Sequence, residues 1–243
     1  LKLNCAIILA SGSSTRFNNK IPKQFHKLNG RIILDYSVST FSNCSQIDHV
    51  IIVVPKEYLS DVEAIYPQHK IVEGGRQRQE SSYNGLLACP NNTKKVLIHD
   101  SARALIDTKT IARCLEGLNN SMAISVVLPS KDTLVETKNK LIIKMPLRDD
   151  MYIEQTPQGF DYQTILNAHE NNSTNVTDDI RLVYEMGIKC NTVLGSENNF
   201  KITTMQDYQL AKLILEANSD EEKIKNVINE IFEEKIADGQ LNN

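Results

Sequence analysis

A loop of small residues with two nearby cations follows the first apolar run of the sequence. Ala10, Ser11 and Gly12 begin this loop, Arg16 lies within it, and Lys23 comes shortly after it. Small side chains leave backbone N–H groups accessible, so such a loop can approach a phosphate group or the edge of a base. The two cations add positive charge at the same place. The pattern indicates a site for a phosphorylated ligand, although a turn with solvated charges has the same composition.

The spacing within this loop argues against two common nucleotide-binding motifs. The residues from Ala10 to Phe17 form neither a G-x-G-x-x-G fingerprint nor a Walker loop. An NAD-linked dehydrogenase is disfavoured as well, because the downstream acidic residue that binds the ribose is missing. The sequence also contains no convincing Ser-His-Asp or Cys-His arrangement. Positioning of anionic substrates by charged side chains is therefore favoured over nucleophilic catalysis by a protein group.

Two later segments carry further candidate ligands. A Gly74-Gly75 turn leads toward Ser81, and Asp100 directly follows a strongly apolar run. Parallel strands present ligand-binding groups at their carboxyl ends, so Asp100 is a candidate ligand. An aspartate that only caps the following helix would occupy the same position.

The composition is that of an ordinary globular domain. The 243 residues are 41% hydrophobic and 23% charged, which suits one large α/β domain. A net charge of −3 provides no basic field for nucleic acid. The apolar run from Asn4 to Ala10 is too short to span a membrane. Five scattered cysteines without a C-x-x-C pair are typical of reduced thiols, so we expect a cytoplasmic protein.

Short apolar runs alternate with helical patterns along the chain. Runs rich in Ile and Val suit strands that are covered on both faces, and the β-α-β-α order predicts a doubly wound, mostly parallel sheet of the α/β class. The predicted strands are residues 5–9, 49–54, 95–99, 123–128 and 191–194, and the predicted helices are residues 33–41, 57–66, 79–88, 110–118, 162–170, 179–186 and 205–216.

Two segments depart from this alternation. Residues 133–136 and 141–144 flank a polar turn, which predicts a β-hairpin arm over about residues 133–148. Two-stranded ribbons are marginally stable alone, so we expect the arm to pack on another subunit. Residues 218–243 form an amphipathic helix and tail after a domain of residues 1–217, and Ser219 with Glu222 suggests a capping box at the start of that helix.

The order of these motifs resembles the cytidylyltransferases that act on 2-C-methyl-D-erythritol 4-phosphate, together with their ribitol-phosphate relatives. The similarity covers roughly residues 4 to 216. It rests on the loop through Arg16, Pro22-Lys23-Gln24, Gly74 to Ser81, His99-Asp100-Ser101-Ala102-Arg103, Asp132-Thr133, Arg148, Gln155-Thr156-Pro157-Gln158, Thr177-Asp178-Asp179 and Asn199 to Thr203.

The resemblance implies a Rossmann-like nucleotidyltransferase fold and a reaction. The family transfers CMP from CTP to 2-C-methyl-D-erythritol 4-phosphate, giving 4-diphosphocytidyl-2-C-methyl-D-erythritol and pyrophosphate in the non-mevalonate route to isoprenoid precursors. The substrate phosphate is itself the nucleophile, so charge neutralisation carries the catalysis. The resemblance implies Arg16, Lys23 and Lys201 as catalytic residues, and Ala10, Ser11, Gly12, Gly75, Ser81, Asp100 and Ala102 as nucleotide-binding residues.

The resemblance also implies a metal, a second substrate site and a dimer. Asp100 is expected to bind Mg²⁺ or another hard divalent cation, directly or through water. Arg148 is expected to cross a homodimer interface, formed through the arm, to the substrate phosphate in the neighbouring site. The implied polyol phosphate ligands are Asp100, Arg103, Arg148, Thr156, Thr177 and Asp178.

Some positions depart from the family pattern and leave alternatives open. Arg76 stands where an acidic residue is common, so its role stays open, and His99 is expected to be structural. Residues 146–152 look closer to the ribitol-type enzymes, which leaves a ribitol-5-phosphate cytidylyltransferase that makes CDP-ribitol as the alternative. A catalytically silent nucleotide-binding relative is the remote alternative.

Overall fold

The computed structural model describes residues 2–12, 17, 21–171 and 176–237, with residue 221 and residues 223–237 described by their backbone alone. The strands are β1 (Leu3–Leu9), β2 (Lys27–Leu28), β3 (Arg31–Ile32), β4 (His49–Val54), β5 (Lys70–Glu73), β6 (Thr93–Asp100), β7 (Ala123–Pro129), β8 (Glu136–Lys138), β9 (Leu141–Lys144), β10 (Tyr152–Asp161) and β11 (Asn191–Leu194). The helices are α1 (Ile33–Ser42), α2 (Leu59–Ile65), α3 (Arg78–Leu87), α4 (Thr108–Gly117), α5 (Tyr162–Asn171), α6 (Asp179–Glu185) and α7 (Met205–Ala237).

Seven strands form the central sheet in the order β11-β7-β10-β6-β1-β4-β5. The strand pairs are parallel except those of β10, which is antiparallel to both β6 and β7. The chain runs from β1 to β4 and β5 on one side, and then crosses back to place β6 on the other side of β1. Such a reversal of strand order is where open α/β sheets bind ligands, outside the carboxyl ends of the strands.

Apolar side chains cover both faces of the sheet. Along β1, Ile8 belongs to one buried cluster and Ile7 to another, because successive side chains of a strand point to opposite faces. Phe41 of α1 lies in the first cluster, whereas Phe160 of β10 lies in the second, and both are fully buried. The helices therefore pack on both sides, which confirms the predicted doubly wound α/β class.

The predicted strands and most predicted helices are present, and the hairpin arm is present as well. In the arm, β8 pairs with β9 in a two-stranded sheet of its own, with Asn139 and Lys140 at positive φ in the turn. The sequence prediction missed β5 and β10 and the short pair β2–β3. Buried polar residues such as Gln155 and Gln158 interrupt the apolar pattern of β10, which explains its omission.

The C-terminal helix differs from its prediction. α7 runs without a break from Met205 to Ala237, so no helix begins at Ser219 and the proposed capping box with Glu222 is wrong. Backbone N–H groups inside a helix already have carbonyl partners one turn earlier, which leaves nothing there for a cap to satisfy. The division of the chain at residue 218 stays a prediction. None of the described helices has the length and apolar character needed to cross a membrane.

Gly159 of β10 offers a test of the sheet packing. A Cβ atom at this position would lie 2.7 Å from Cys114 Sγ and 2.9 Å from Leu97 Cδ2. We expect Gly159→Ala to lower the free energy of unfolding by about 1–3 kcal/mol, because the core must shift to accept the methyl group. Urea unfolding measures the change. Gly12→Ala is the control, since no described residue beyond its chain neighbours lies within 4 Å of its added Cβ. Equal stability of both variants would contradict the described packing.

Candidate functional site

The ends of β1 and β6 bring the first loop and Asp100 together. Leu9 and Asp100 are register partners in this parallel pair, and Ser101 N donates to Leu9 O at 3.0 Å. Ala10 N donates to Val53 O at 2.8 Å, which fixes the start of the loop against β4. The reversal of strand order therefore places a loop of small residues directly beside a carboxylate.

An open cleft of about 390 Å³ lies at this edge of the sheet. It combines backbone from the first loop with side chains from four other segments of the chain. The described residues that line it are Leu9, Ala10, Ser11, Gly12, Lys23, Gln24, Gly75, Arg76, Gln77, Arg78, Ser81, Asp100, Ser101, Ala102, Lys201 and Thr203.

Gln24 fixes the position of the first loop next to Lys23. Its side chain is buried, and Nε2 donates to Ala10 O at 2.5 Å and to Gly12 O at 3.2 Å. Both residues belong to the 3-10 turn Lys23–Phe25, which follows Pro22. The Gln24 side chain therefore ties the turn that carries Lys23 to the loop. The sequence prediction does not include Gln24 among the site residues, although Gln24 belongs to the Pro22-Lys23-Gln24 motif.

Ser81 closes the other side of the loop. Ser11 Oγ donates to Ser81 Oγ at 2.8 Å, and Ser81 Oγ also accepts from Gly75 N at 3.0 Å. A Cβ atom at Gly74 would lie 2.3 Å from Ser11 Cβ, so only glycine allows this close approach. These contacts hold the Gly74-Gly75 turn against the first loop, with Gly75 and Ser81 lining the cleft.

Asp100 holds two cations at once. Its Oδ1 lies 3.2 Å from Arg78 Nε, and its Oδ2 lies 2.6 Å from Lys201 Nζ. Burial opposes ionisation of this carboxyl group, but the neighbouring Arg78 and Lys201 outweigh burial and lower its pKa well below the usual range. Asp100 is therefore a fixed negative charge that keeps Lys201 at the cleft.

Arg78 is a site residue that the sequence prediction missed. Besides Asp100, its guanidinium contacts Asp179, with Nη1 at 2.6 Å from Oδ2. Asp179 in turn contacts His169, with Oδ1 at 3.1 Å from Nε2. These partners lie far from Arg78 in the sequence, so spacing gave no signal beyond the recognised Gly74 to Ser81 motif.

Arg103 and Thr156 do not line the cleft but lie beside Asp100. Thr156 Oγ1 accepts from Asp100 N at 3.1 Å and lies 3.0 Å from His99 Nδ1. The Arg103 guanidinium donates to Asn199 O at 3.0 Å and to Glu154 O at 3.2 Å. Arg103 Nε is buried without a hydrogen-bond partner in the described part of the chain. Thr156 therefore fixes the backbone of Asp100, and the Arg103 guanidinium fixes the backbone of Asn199 and Glu154 beside it.

Three other predicted residues lie outside the described cleft lining, namely Arg148, Thr177 and Asp178. Arg148 belongs to an exposed 3-10 turn at the base of the arm, with Nε 4.0 Å from Asp149 Oδ1. Thr177 Oγ1 donates to Asp178 Oδ2 at 2.7 Å just before α6. Arg16 lies outside the described residues.

A hard divalent cation such as Mg²⁺ prefers oxygen ligands. The described residues contain no group of three or more His, Cys, Asp or Glu side chains placed to hold a metal. Mg²⁺ keeps several waters and is commonly bound by one or two carboxylates together with substrate phosphates. The described lining suits a cation held mainly by nucleotide phosphates, because Asp100 is the carboxylate it contains.

The sheet is doubly wound, and a loop of small residues, two lysines and a carboxylate lie at the reversal of strand order. This combination is typical of nucleotide-binding α/β enzymes. Residues 4–217 match the family model described as IspD: 2-C-methyl-D-erythritol 4-phosphate cytidylyltransferase. The chain belongs to this family, which confirms the resemblance seen in the sequence. The protein is therefore a member of the cytidylyltransferases.

Individual relatives agree with this assignment. A 2-C-methyl-D-erythritol 4-phosphate cytidylyltransferase of Clostridium botulinum (strain Loch Maree / Type A3) is 35% identical over 223 residues, which cover 88% of this chain and 97% of that relative. One from Thermotoga neapolitana is 34% identical over 216 residues, covering 87% and 96%. The crystal structure of 4-diphosphocytidyl-2C-methyl-D-erythritol synthase from Anaerococcus prevotii has a TM-score of 0.80 at 28% identity, covering 88% and 96%.

His99 gives the site a measurable pH signature. Burial, assisted by Arg103 and opposed by Asp100, lowers the pKa of His99 to about 3. An unfolded histidine titrates near pH 6.5. Below that pH this histidine binds a proton in the unfolded chain but stays neutral in the folded protein. The free energy of unfolding therefore falls as the pH falls, by up to about 1.4 kcal/mol per pH unit.

We expect His99→Gln to remove this contribution. Urea unfolding at several pH values between 7.5 and 5 should give a shallower slope for the variant than for the wild type, by about one proton. This window lies above the unfolded pKa of aspartate, so Asp100 contributes little to the slope there. Parallel slopes for the two proteins would show that His99 is not held neutral.

Proposed function

We propose that this protein transfers CMP from CTP to 2-C-methyl-D-erythritol 4-phosphate, releasing pyrophosphate and 4-diphosphocytidyl-2-C-methyl-D-erythritol for isoprenoid precursor synthesis. One observation carries the proposal in a chain of this family: Lys23, Asp100 and Lys201 line a single cleft beside the small-residue loop. These residues come from distant parts of the sequence, and the fold gathers them where α/β sheets bind ligands.

Charge neutralisation is the proposed source of catalysis. Attack of a phosphate monoester on the α-phosphorus of CTP brings two polyanions together. Lys23 and Lys201, together with Arg16, bind the triphosphate and stabilise the negative charge that develops in the transition state. The attacking phosphate oxygen is already ionised near neutral pH, so no general base is required. The position of His99 is consistent with the absence of a general base, because His99 is fully buried and hydrogen-bonded to Thr156 and to the Arg103 carbonyl.

The nucleotide is proposed to lie against the first loop and the Gly75 turn. The backbone of Ala10, Ser11 and Gly12 can offer an acceptor to the cytosine amine, which uracil lacks. Buried Ser81 supports this surface from behind through its bonds to Ser11 and Gly75. The remaining proposed nucleotide contacts are Asp100 and Ala102.

Mg²⁺ is the proposed cofactor, with Asp100 as its protein ligand. When bound, the cation neutralises phosphate charge and orients the triphosphate. Asp100 is ionised and lies within the cleft, which suits that role. The contacts of Asp100 with Arg78 and Lys201 favour binding of the cation through water.

The polyol phosphate is proposed to bind on the side of Asp100 that faces Arg103 and Thr156. Arg103 has a buried Nε donor that lacks a partner among the described residues, and a bound anion would satisfy such a donor. Thr177 and Asp178 are proposed to bind polyol hydroxyls. Asp178 is near enough to Arg78 and Arg103 to influence the pKa of both.

A homodimer formed through the arm is also proposed. β8 and β9 are exposed along their whole length, and the arm region carries several exposed large apolar side chains. Such a patch on a two-stranded ribbon is typical of a protein interface. The most exposed of these side chains are Leu141, Ile142, Ile143, Met145 and Leu147.

The cytoplasm is the proposed location. All five cysteines are described and none forms a disulfide. Free, mostly buried thiols are usual where the compartment is reducing.

The activity is tested by pyrophosphate release from CTP with Mg²⁺ and each of two polyol phosphates. We expect a clear preference for 2-C-methyl-D-erythritol 4-phosphate over ribitol 5-phosphate, in agreement with the names of the relatives. We expect Lys23→Ala and Lys201→Ala to lower kcat by about 10²-fold or more, because each loses a transition-state donor.

The matched control is Lys131→Ala, whose exposed ammonium contacts Glu197 away from the cleft. It should keep the wild-type rate. A preference for ribitol 5-phosphate would overturn the substrate assignment, and near-normal rates for both cleft lysine variants would overturn their roles. CTP binding without turnover of either polyol phosphate would favour the silent relative.

The dimer is tested with Ile143→Asp, which places a charge in the middle of the arm. We expect this variant to sediment as a monomer and to lose most CMP transfer, whereas Ile65→Asp, at a similarly exposed isoleucine of α2, stays dimeric. Arg148→Ala should stay dimeric and raise the KM for the polyol phosphate more than the KM for CTP. A wild-type protein that is monomeric at assay concentrations would contradict the shared site.

A further inference from the structure

Arg78 connects two buried carboxylates that belong to different parts of the fold. It is the first residue of α3, where the Gly74-Gly75 turn enters the helix. Its Nε contacts Asp100 at the end of β6, and its Nη1 contacts Asp179 at the start of α6, at 3.2 and 2.6 Å. One guanidinium therefore spans the distance between the cleft and α6.

The Asp179 end of this connection is a fixed anchor. Asp179 is almost fully buried, and its second oxygen contacts His169. Its backbone N donates to Gln158 Oε1 at 3.0 Å, as does Ile180 N at 3.2 Å. Gln158 is itself fully buried in β10. Asp179 is thus held by the sheet, and it holds Arg78 in one orientation.

At the other end, Arg78 shares Asp100 with Lys201. Arg78 contacts Oδ1, whereas Lys201 contacts Oδ2. Without Arg78, Lys201 would be the cation left in contact with this carboxylate among the described residues, with Arg103 acting on it at longer range. Asp100 would then turn toward Lys201 and hold its ammonium more tightly, which would withdraw it from a phosphate in the cleft.

We propose that Arg78 is a positioning residue: anchored by Asp179, it holds Asp100 in place so that Lys201 stays available to the substrate phosphates. This inference rests on the proposed function for its kinetic consequences. The contacts that carry it are those of Arg78 itself, and they do not depend on which polyol phosphate is used.

The geometry calls for arginine at this position. The planar guanidinium presents donors in a fixed fork, so one side chain can bind two carboxylates in different directions. A lysine ammonium is a single point of charge on a flexible stem and cannot reproduce both contacts with the same orientation. Lysine at this position would keep the charge of Arg78 but lose its geometry.

The test compares Arg78→Ala, Arg78→Lys and Asp179→Asn in CMP transfer. We expect Arg78→Ala to lower kcat by about 10- to 100-fold with a smaller change in the KM for CTP, as is usual when a partner that orients a ligand is removed. Arg78→Lys should recover little of this loss, and Asp179→Asn should lower kcat less. Guanidinium ion, added at non-denaturing concentrations, should restore part of the Arg78→Ala rate but none of the Arg78→Lys rate.

The matched control is Arg181→Ala, which removes an exposed arginine of α6 whose guanidinium contacts Glu185. It should keep the wild-type kcat. Full activity of Arg78→Lys would overturn the inference. So would a loss of activity in Arg78→Ala that follows its thermal unfolding and is not rescued by guanidinium. If Arg78→Ala does not fold, unchanged kcat in Asp179→Asn overturns it.

A crystal structure of Arg78→Ala, or of Asp179→Asn in its place, separates this inference from the proposed function. We expect the Asp100 carboxylate to rotate toward Lys201. Unchanged positions of both side chains would refute the positioning role even if turnover falls. A wild-type protein inactive with both polyol phosphates refutes the proposed function, and leaves the structural readout to decide on Arg78.

Discussion

The shared carboxylate of Asp100 is the interaction on which the cleft depends. A buried charge is unfavourable unless cations compensate it, and here Arg78 and Lys201 contact the Asp100 carboxylate while the Thr156 hydroxyl accepts from its backbone N–H. These partners come from α3, from the segment after β11 and from β10. The cleft therefore forms only when distant parts of the chain have folded around one charge, so folding and assembly of the site are coupled.

The order of the strands explains where this charge lies. β1 and β6 are adjacent parallel strands, so the loop after β1 and the residue at the end of β6 meet without any long connection. β10 then runs antiparallel beside β6 and brings Thr156 to the backbone of Asp100 and Gln158 to the start of α6. A parallel strand at the same place would approach from the opposite end and present a different set of side chains to Asp100.

Sequence patterns predicted the features that depend on local chemistry. The β-branched runs of β1, β4 and β6 identify buried strands, and the small residues after β1 identify a ligand loop. β10 was not predicted because its buried polar side chains break the apolar pattern and form hydrogen bonds with other segments. Gln158, for example, bonds to Glu154 and to the start of α6. The contact of Arg78 with Asp179 was not predicted either, because the two residues are far apart in the sequence. Long-range pairing of polar groups leaves no periodic signal in one sequence.

The arm leaves and rejoins the sheet at neighbouring strands. β7 ends and β10 begins at Pro129 and Tyr152, which are register partners. The hairpin is thus an insertion between two positions that already face each other, and its length does not influence the alignment of the strands below. The length and surface of this projection can therefore change among relatives without shifting the strands that hold the cleft, so it is a natural place for the choice of partner subunit to diverge.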